Sequence, residues 1–205
     1  MIGKGKSISH GVAALEYDLA KEINGQAVAT EIARHELYGC TGAEMVQEMK
    51  PYHIDFPNVK NNCLRFEVSP SIEESATFTD ADWAELGNDF MQRMGLANHQ
   101  YIIIRHSGTE SKKEQAHLHI LANRVSLSGE LYRDNWIGKK ATEAANAIAK
   151  ERNFVQSQDI GKVNKAEIKE AMDGVLKKMQ GFDFTKFKEE LGKRGFKVRE
   201  ARAST

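Results

Sequence analysis

The sequence is short of cysteine, has no apolar run of membrane-spanning length and carries no net charge. Cys40 and Cys63 are the two cysteines in 205 residues. They make no CxxC pair, so no disulfide framework is encoded and both read as reduced thiols. The absence of a long apolar stretch excludes a membrane helix. The opening MIGKGKSISHG lacks the apolar centre of a secretory signal, so a cytoplasmic protein without membrane insertion is expected. No internal repeat or low-complexity segment is present. Lys+Arg and Asp+Glu stand at 29 each, which on its own weighs against a nucleic-acid partner. The distribution is uneven, however. Residues 161–205 hold 12 Lys+Arg against 7 Asp+Glu, a basic tail on an acidic body that can still meet phosphates.

What is present is an ordinary globular composition, 40% hydrophobic and 28% charged. Residues 1–7 suggest a short strand. Val12, Leu15, Leu19 and Ile23 recur at helical spacing, which predicts a helix over 10–23. A second helix is expected over 41–50, followed by an irregular stretch marked by Pro51 and Pro57. Residues 63–69, CLRFEVS, alternate apolar and polar as a half-buried strand does. Thr79 and Asp82 form a capping-box pattern for a helix to about Met94, buried through Trp83, Leu86, Phe90 and Met94 and stopped by Gly95. Strands follow at 100–105 and 117–125, joined by polar residues, and the simplest pairing is antiparallel. Helices are expected over 138–152, 165–180 and 184–194. The fold class is therefore α+β, an antiparallel sheet with helices packed on it and a C-terminal helical segment. The weaker apolar pattern after about residue 155 marks residues 1–155 as the main domain. Residues 156–205 read as a basic helical extension, ending as a piece of a longer protein would.

The chemistry is concentrated between His106 and His119. His117 and His119 are two apart on a strand, so they share a face. His106 ends the preceding strand, and a hairpin brings it to the same point. Three neutral imidazoles bind a divalent cation and leave positions open for a phosphate. Asn123 falls on the same strand face and Arg124 follows it. His99 reads as a surface residue before the strand. Among the five tyrosines, Tyr17 lies off the apolar stripe of its helix, on the face of His10 seven residues earlier. A tyrosine that attacks a phosphodiester keeps the bond energy as a phosphotyrosine ester.

These motifs resemble a known family. His117-Leu118-His119 is similar to the signature of HUH endonucleases, and YIIIRHSGTESKKEQAHLHILANRV resembles the metal motif of mobilisation relaxases of the MobP type. FTDADWAELGNDFMQRMGL, GKKATEAANAIAKERNF and the opening MIGKGKSISHGVAALEYDL also resemble segments of that family. The resemblance implies an HUH-like fold with metal ligands His106, His117 and His119, and Mg2+ or Mn2+ as cofactor, other transition metals being possible ligands of three imidazoles. It implies Tyr17 as the nucleophile, since relaxases carry the tyrosine before the histidine motif and rolling-circle initiators carry it after. It further implies nicking of single-stranded or hairpin DNA at a transfer origin, through a 5′-phosphotyrosine, alongside accessory mobilisation proteins and a coupling protein. Ser69 corresponds to a DNA-holding position, and Arg105, Asn123, Arg124, Lys139 and Lys140 are the expected DNA contacts. The base for Tyr17 is left among the metal, His10 and a nearby carboxylate. The chain departs from the family in having Ser107 and Gly108 where an aspartate is common, and in a longer loop holding Lys112, Lys113 and Glu114. Two other readings stand beside this one, a metal-dependent nuclease that activates water and a non-catalytic DNA-binding module.

Overall fold

The computed structural model describes residues 1–108 and 115–199, and Lys112, Lys113 and Glu114 lie outside the described residues. Two compact units are present, Met1–Ser157 and Gln158–Thr205.

The first unit is built on a five-stranded antiparallel sheet of order β1-β5-β7-β6-β4, formed by β1 (Ile2–Ile8), β4 (Ala29–His35), β5 (Cys63–Ser69), β6 (His99–His106) and β7 (His117–Ser126). Between β1 and β4 come helix α1 (Gly11–Leu19) and a small hairpin of β2 (Glu22–Ile23) and β3 (Gln26–Ala27). The expected 10–23 helix is thus shorter. It turns inward through Gly11, Ala14, Leu15 and Asp18 and leaves Val12 exposed. The apolar recurrence at 12, 19 and 23 in fact spans the end of one element and the start of another. Helix α2 (Gly42–Met49) starts at a capping box, with the Thr41 hydroxyl accepting from the Glu44 amide and the Glu44 carboxylate reaching back to the Thr41 amide. A single 3-10 turn, Lys50–His53, carries Pro51 at its start.

Two helix layers cover the two faces of the sheet. On one face α1 and α2 bury Leu15, Met45 and Met49 against Ile102, Ile104 and Leu121. On the other face lie the short α3 (Ile72–Ser75), α4 (Asp80–Arg93) and α5 (Ile137–Glu151). Helix α4 begins at the Thr79–Asp82 capping box and brings Trp83, Leu86 and Phe90 onto Phe66, Ile103 and Ile120. Helix α5 is alanine-rich for a reason that lies in β1. A Cβ on Gly3 would sit 2.6 Å from the Ala145 Cβ, and one on Gly5 3.2 Å from the Ala141 Cβ. The glycines of IGKGKSI therefore let the helix lie directly on the strand, while the alternating Lys4 and Lys6 point to the opposite face.

The second unit pairs α6 (Ser157–Leu176) with α7 (Phe184–Lys193) around Ala171, Val175, Phe187 and Leu191. Asp183 caps α7, and Gly195, at φ +85°, follows its end. Among the described residues, no helix is long and apolar enough to cross a membrane.

Candidate active site

Strands β6 and β7 are paired in the register that brings His106 opposite His117 and Ile104 opposite His119. The period of two then puts His106, His117 and His119 on one face, the face covered by α1. Each offers one ring nitrogen, and these atoms lie within 4.8 Å of one another. Nε2 of His117 and Nε2 of His119 are 3.1 Å apart. Two nitrogens each about 2.1 Å from one ion and about a right angle apart are separated by about 3 Å, so the His117 and His119 rings are spaced as ligands of one ion are.

The remaining ring nitrogens are held by the protein. Nε2 of His106 donates to the Asp18 carbonyl at 2.7 Å, and Nδ1 of His117 donates to the Gln115 carbonyl at 3.1 Å. These bonds select the tautomers that present Nδ1 of His106 and Nε2 of His117 as lone pairs. Burial lowers the pKa of His106, and burial first, with the neighbouring imidazoles, Arg65 and Lys4 adding to it, brings that of His119 down to about 2. Both rings are therefore held in the neutral form that a cation requires. The donor set fits a divalent metal.

The structure adds two charged residues that the sequence did not single out. Asp18, 2% exposed, is paired with Arg65 of β5, whose Nε is 3.1 Å from Oδ2, and its Oδ1 lies 3.8 Å from Nδ1 of His119. Burial raises the pKa of the Asp18 carboxyl, and Arg65 opposes the rise. Tyr17, the next residue back, is 56% exposed, and Lys21 donates to its hydroxyl at 2.6 Å. Lys21 also contributes to the electrostatics of Asp18 and His106. His10 caps α1 without a side-chain bond. Seven residues correspond to about 10 Å along a helix, and among the described residues no hydrogen bond joins His10 to Tyr17.

Several expected DNA contacts lie elsewhere. Asn123 is on the histidine face but fully buried. Its amide oxygen meets Nε2 of His53 at 2.7 Å, and its amide nitrogen donates to Gln100 and to the Met49 carbonyl. That residue is a clamp inside the sheet. His99, far from being a surface residue, is buried in β6 and donates to the Asn123 carbonyl. Arg105 and Arg124 alternate onto the opposite face, where Arg105 pairs with Asp80 and Arg124 binds Asp134 and the Tyr132 carbonyl. Lys139 and Lys140 are on α5, the helix of that opposite face. Ser69 does lie beside the histidines. Its hydroxyl accepts from the Gln115 side chain, the residue whose carbonyl holds His117.

Lys4, Lys6 and Arg65 share the histidine face. With Gly5, Glu67 and His119 they line a cavity of about 220 Å³. Lys4 is paired with Glu67 at 2.8 Å, directly across the β1–β5 register, whereas Lys6 is exposed and forms no ion pair among the described residues. Alternation in IGKGKSI and CLRFEVS placed these residues together on a face. Only the strand order showed that it is the histidine face.

The site thus combines an antiparallel sheet, three converging histidines able to hold a divalent metal and a flank bearing Lys4, Lys6 and Arg65. Residues 17–154, more than half of the chain, match the family described as Relaxase: MobA/VirD2-like, nuclease domain, and the chain belongs to that family. It is thus a DNA-nicking nuclease of the HUH superfamily, with a possible divalent-metal site on three histidines. No curated protein sequence matches the chain.

Proposed function

We propose that the protein is a relaxase that nicks single-stranded DNA at a transfer origin, with Tyr17 as nucleophile, and so initiates mobilisation of a plasmid or integrated element. The observation that carries this reading is that α1, the helix that bears Tyr17, is bonded to the three-histidine cluster through the Asp18 carbonyl, which accepts from His106. A divalent cation such as Mg2+ or Mn2+, held by His106, His117 and His119, would neutralise charge on the scissile phosphate and leave phosphorus more open to attack.

The chain's own residues account for the rest. The Tyr17 oxygen forms a bond to phosphorus, the bond to the 3′-oxygen breaks, and a free 3′-hydroxyl leaves with the proton that the tyrosine gives up. Lys21 donates to the Tyr17 oxygen, so the phenolic proton is turned away from it and free to leave. Asp18 and Arg65 hold His119 from behind, and Lys4 and Lys6 receive the phosphates that flank the cut. The 5′-phosphotyrosine ester retains the energy for rejoining. Single-stranded or hairpin DNA, accessory mobilisation proteins and a coupling protein are the partners this reading calls for.

The test incubates the protein with Mn2+ and labelled single-stranded oligonucleotides spanning candidate transfer origins, then seeks a protein–DNA band on a denaturing gel. A metal-dependent adduct that disappears in Tyr17→Phe is expected. Cleavage without an adduct would establish a water-activating nuclease instead, and binding without cleavage a DNA-binding module.

A further inference from the structure

The chain has two tryptophans, and they are in opposite situations. Trp83 is 2% exposed in the core, while Trp136 is 80% exposed. A large apolar ring left in water loses the stabilisation that burial gives. Trp136 also sits at φ 59° and ψ 27°, in the left-handed region that disfavours a side chain of this size. It makes no ring contact among the described residues. Neither packing nor backbone preference accounts for a tryptophan here.

Its position is informative. Trp136 caps α5, and two residues on, a Cβ at Gly138 would lie 3.5 Å from the Gly5 carbonyl of β1. Two residues of chain span at most about 7 Å, so the main chain that carries the exposed indole lies near the β1 edge strand. Lys4 and Lys6 flank Gly5 on that strand and line the cavity that includes His119. Arg133 and Lys139 are exposed beside the indole in the chain. Lys6 and Arg133 thus carry exposed positive charge between the metal centre and this aromatic surface, while Lys4 is paired with Glu67 and Lys139 lies 3.8 Å from Glu143. Basic residues along a path that ends on an exposed ring are the pattern that binds single-stranded nucleic acid, because every base has a face that can stack.

We propose that the Trp136 indole is a stacking platform for a base of the single strand that runs from the metal centre over Lys4 and Lys6. The proposal rests on the reading of the chain as a single-strand DNA enzyme and adds to it where the strand goes.

Trp136 can report on itself, since Trp83 supplies a buried, constant background. Tryptophan emission of the full-length protein with Mg2+ is followed against a single-stranded oligonucleotide whose binding is established separately by anisotropy of a label. Saturating DNA is expected to quench the emission. Trp136→Ala should abolish the change and weaken binding about tenfold or more, and Trp136→Phe should restore most of the affinity. Trp136→Gly separates stacking from folding: glycine suits the backbone there, so its melting temperature should be unchanged or higher while affinity falls. Oligonucleotide bound with unaltered emission, or full affinity in Trp136→Ala, would overturn the proposal. Adduct formation by Tyr17 is scored on the same samples, so loss of stacking with an intact adduct refutes this inference alone. Quenching without an adduct would support it and count against the nicking reading.

Discussion

His106 is joined to Asp18 through the main chain: its Nε2 donates to the Asp18 carbonyl at 2.7 Å, while the Asp18 carboxylate is turned to Arg65 and His119. One residue of α1 therefore holds one of the three histidines through its carbonyl and stands close to a second through its carboxylate.

Asp18→Asn tests that division. The carbonyl that holds His106 is retained, but the guanidinium of Arg65 is left without its partner. Breaking a buried pair on one side costs about 3 kcal/mol, to be read from urea unfolding. The His119 ring also loses its carboxylate neighbour, so Mn2+ affinity measured by calorimetry should fall about tenfold. Unchanged affinity would mean that Asp18 serves the fold alone.

Removing a ring should act more strongly. His106→Ala, His117→Ala and His119→Ala are each expected to lower Mn2+ affinity by more than the about 10- to 100-fold that loss of an outer partner brings. A variant that binds the ion as the parent does would remove that histidine from the ligand set.

The buried rings also set a pH dependence. His99, His106 and His119 all have lowered pKa values, with burial the first cause. The folded state then binds fewer protons than the unfolded chain as pH falls below the ordinary histidine value of about 6.5. Stability is fully present above that value and is lost as the solution becomes more acidic. For His119, held down to about 2, the loss reaches about 2 kcal/mol by pH 5. Asp18, with a raised pKa, acts in the opposite sense at more acidic pH. Denaturant unfolding of metal-free protein at pH 7 and pH 5 should show the loss, and His119→Gln should reduce it. A flat profile in the parent protein would contradict this assignment.

Gly3→Ala should be destabilising beyond its size. The added methyl would meet the Ala141 carbonyl and the Ala145 Cβ, and neither can move without shifting α5. Overpacking of this kind costs about 2 kcal/mol. A melting temperature equal to that of the parent would show that the helix has room to retreat.

Charge on the two faces of the sheet should be distinguishable by salt. Lys6→Ala is expected to reduce the salt dependence of single-strand binding by about 0.7 in log–log slope, the share of one phosphate. Arg105→Ala, on the face away from the histidines and tied to Asp80, should leave the slope unchanged. Equal effects from the two would place the strand on the wrong side of the sheet.

Local signals carried the elements well. The HLH spacing, the Thr79–Asp82 cap and the glycine stop at Gly95 each describe a few consecutive residues, and each has the geometry its chemistry implies. Strand β4 went unread. Its residues ATEIARH alternate poorly, and a register shift between Glu31 and Ala33 breaks the period. The partners of the site were hidden for another reason. Asp18 reads as one more polar residue on a surface helix until α1 is laid against β6 and β7, and Lys4 and Arg65 acquire meaning only from the order β1-β5-β7. Asn123 and Arg124 show the reverse case. Adjacency to the histidine motif suggested DNA, but alternation sends one into the core and the other to the far face.

The histidines and the tyrosine are reached by the chain on different scales. His106, His117 and His119 belong to two neighbouring strands paired directly with each other, so a short loop closure assembles them. Asp18 meets His106 across 88 positions of sequence, and Tyr17 travels with it. Closing the longer loop costs more entropy and in general comes later as a chain folds. A partly folded molecule thus holds the three imidazoles together before α1 reaches them, and His106 gains its main-chain partner only when that helix has docked.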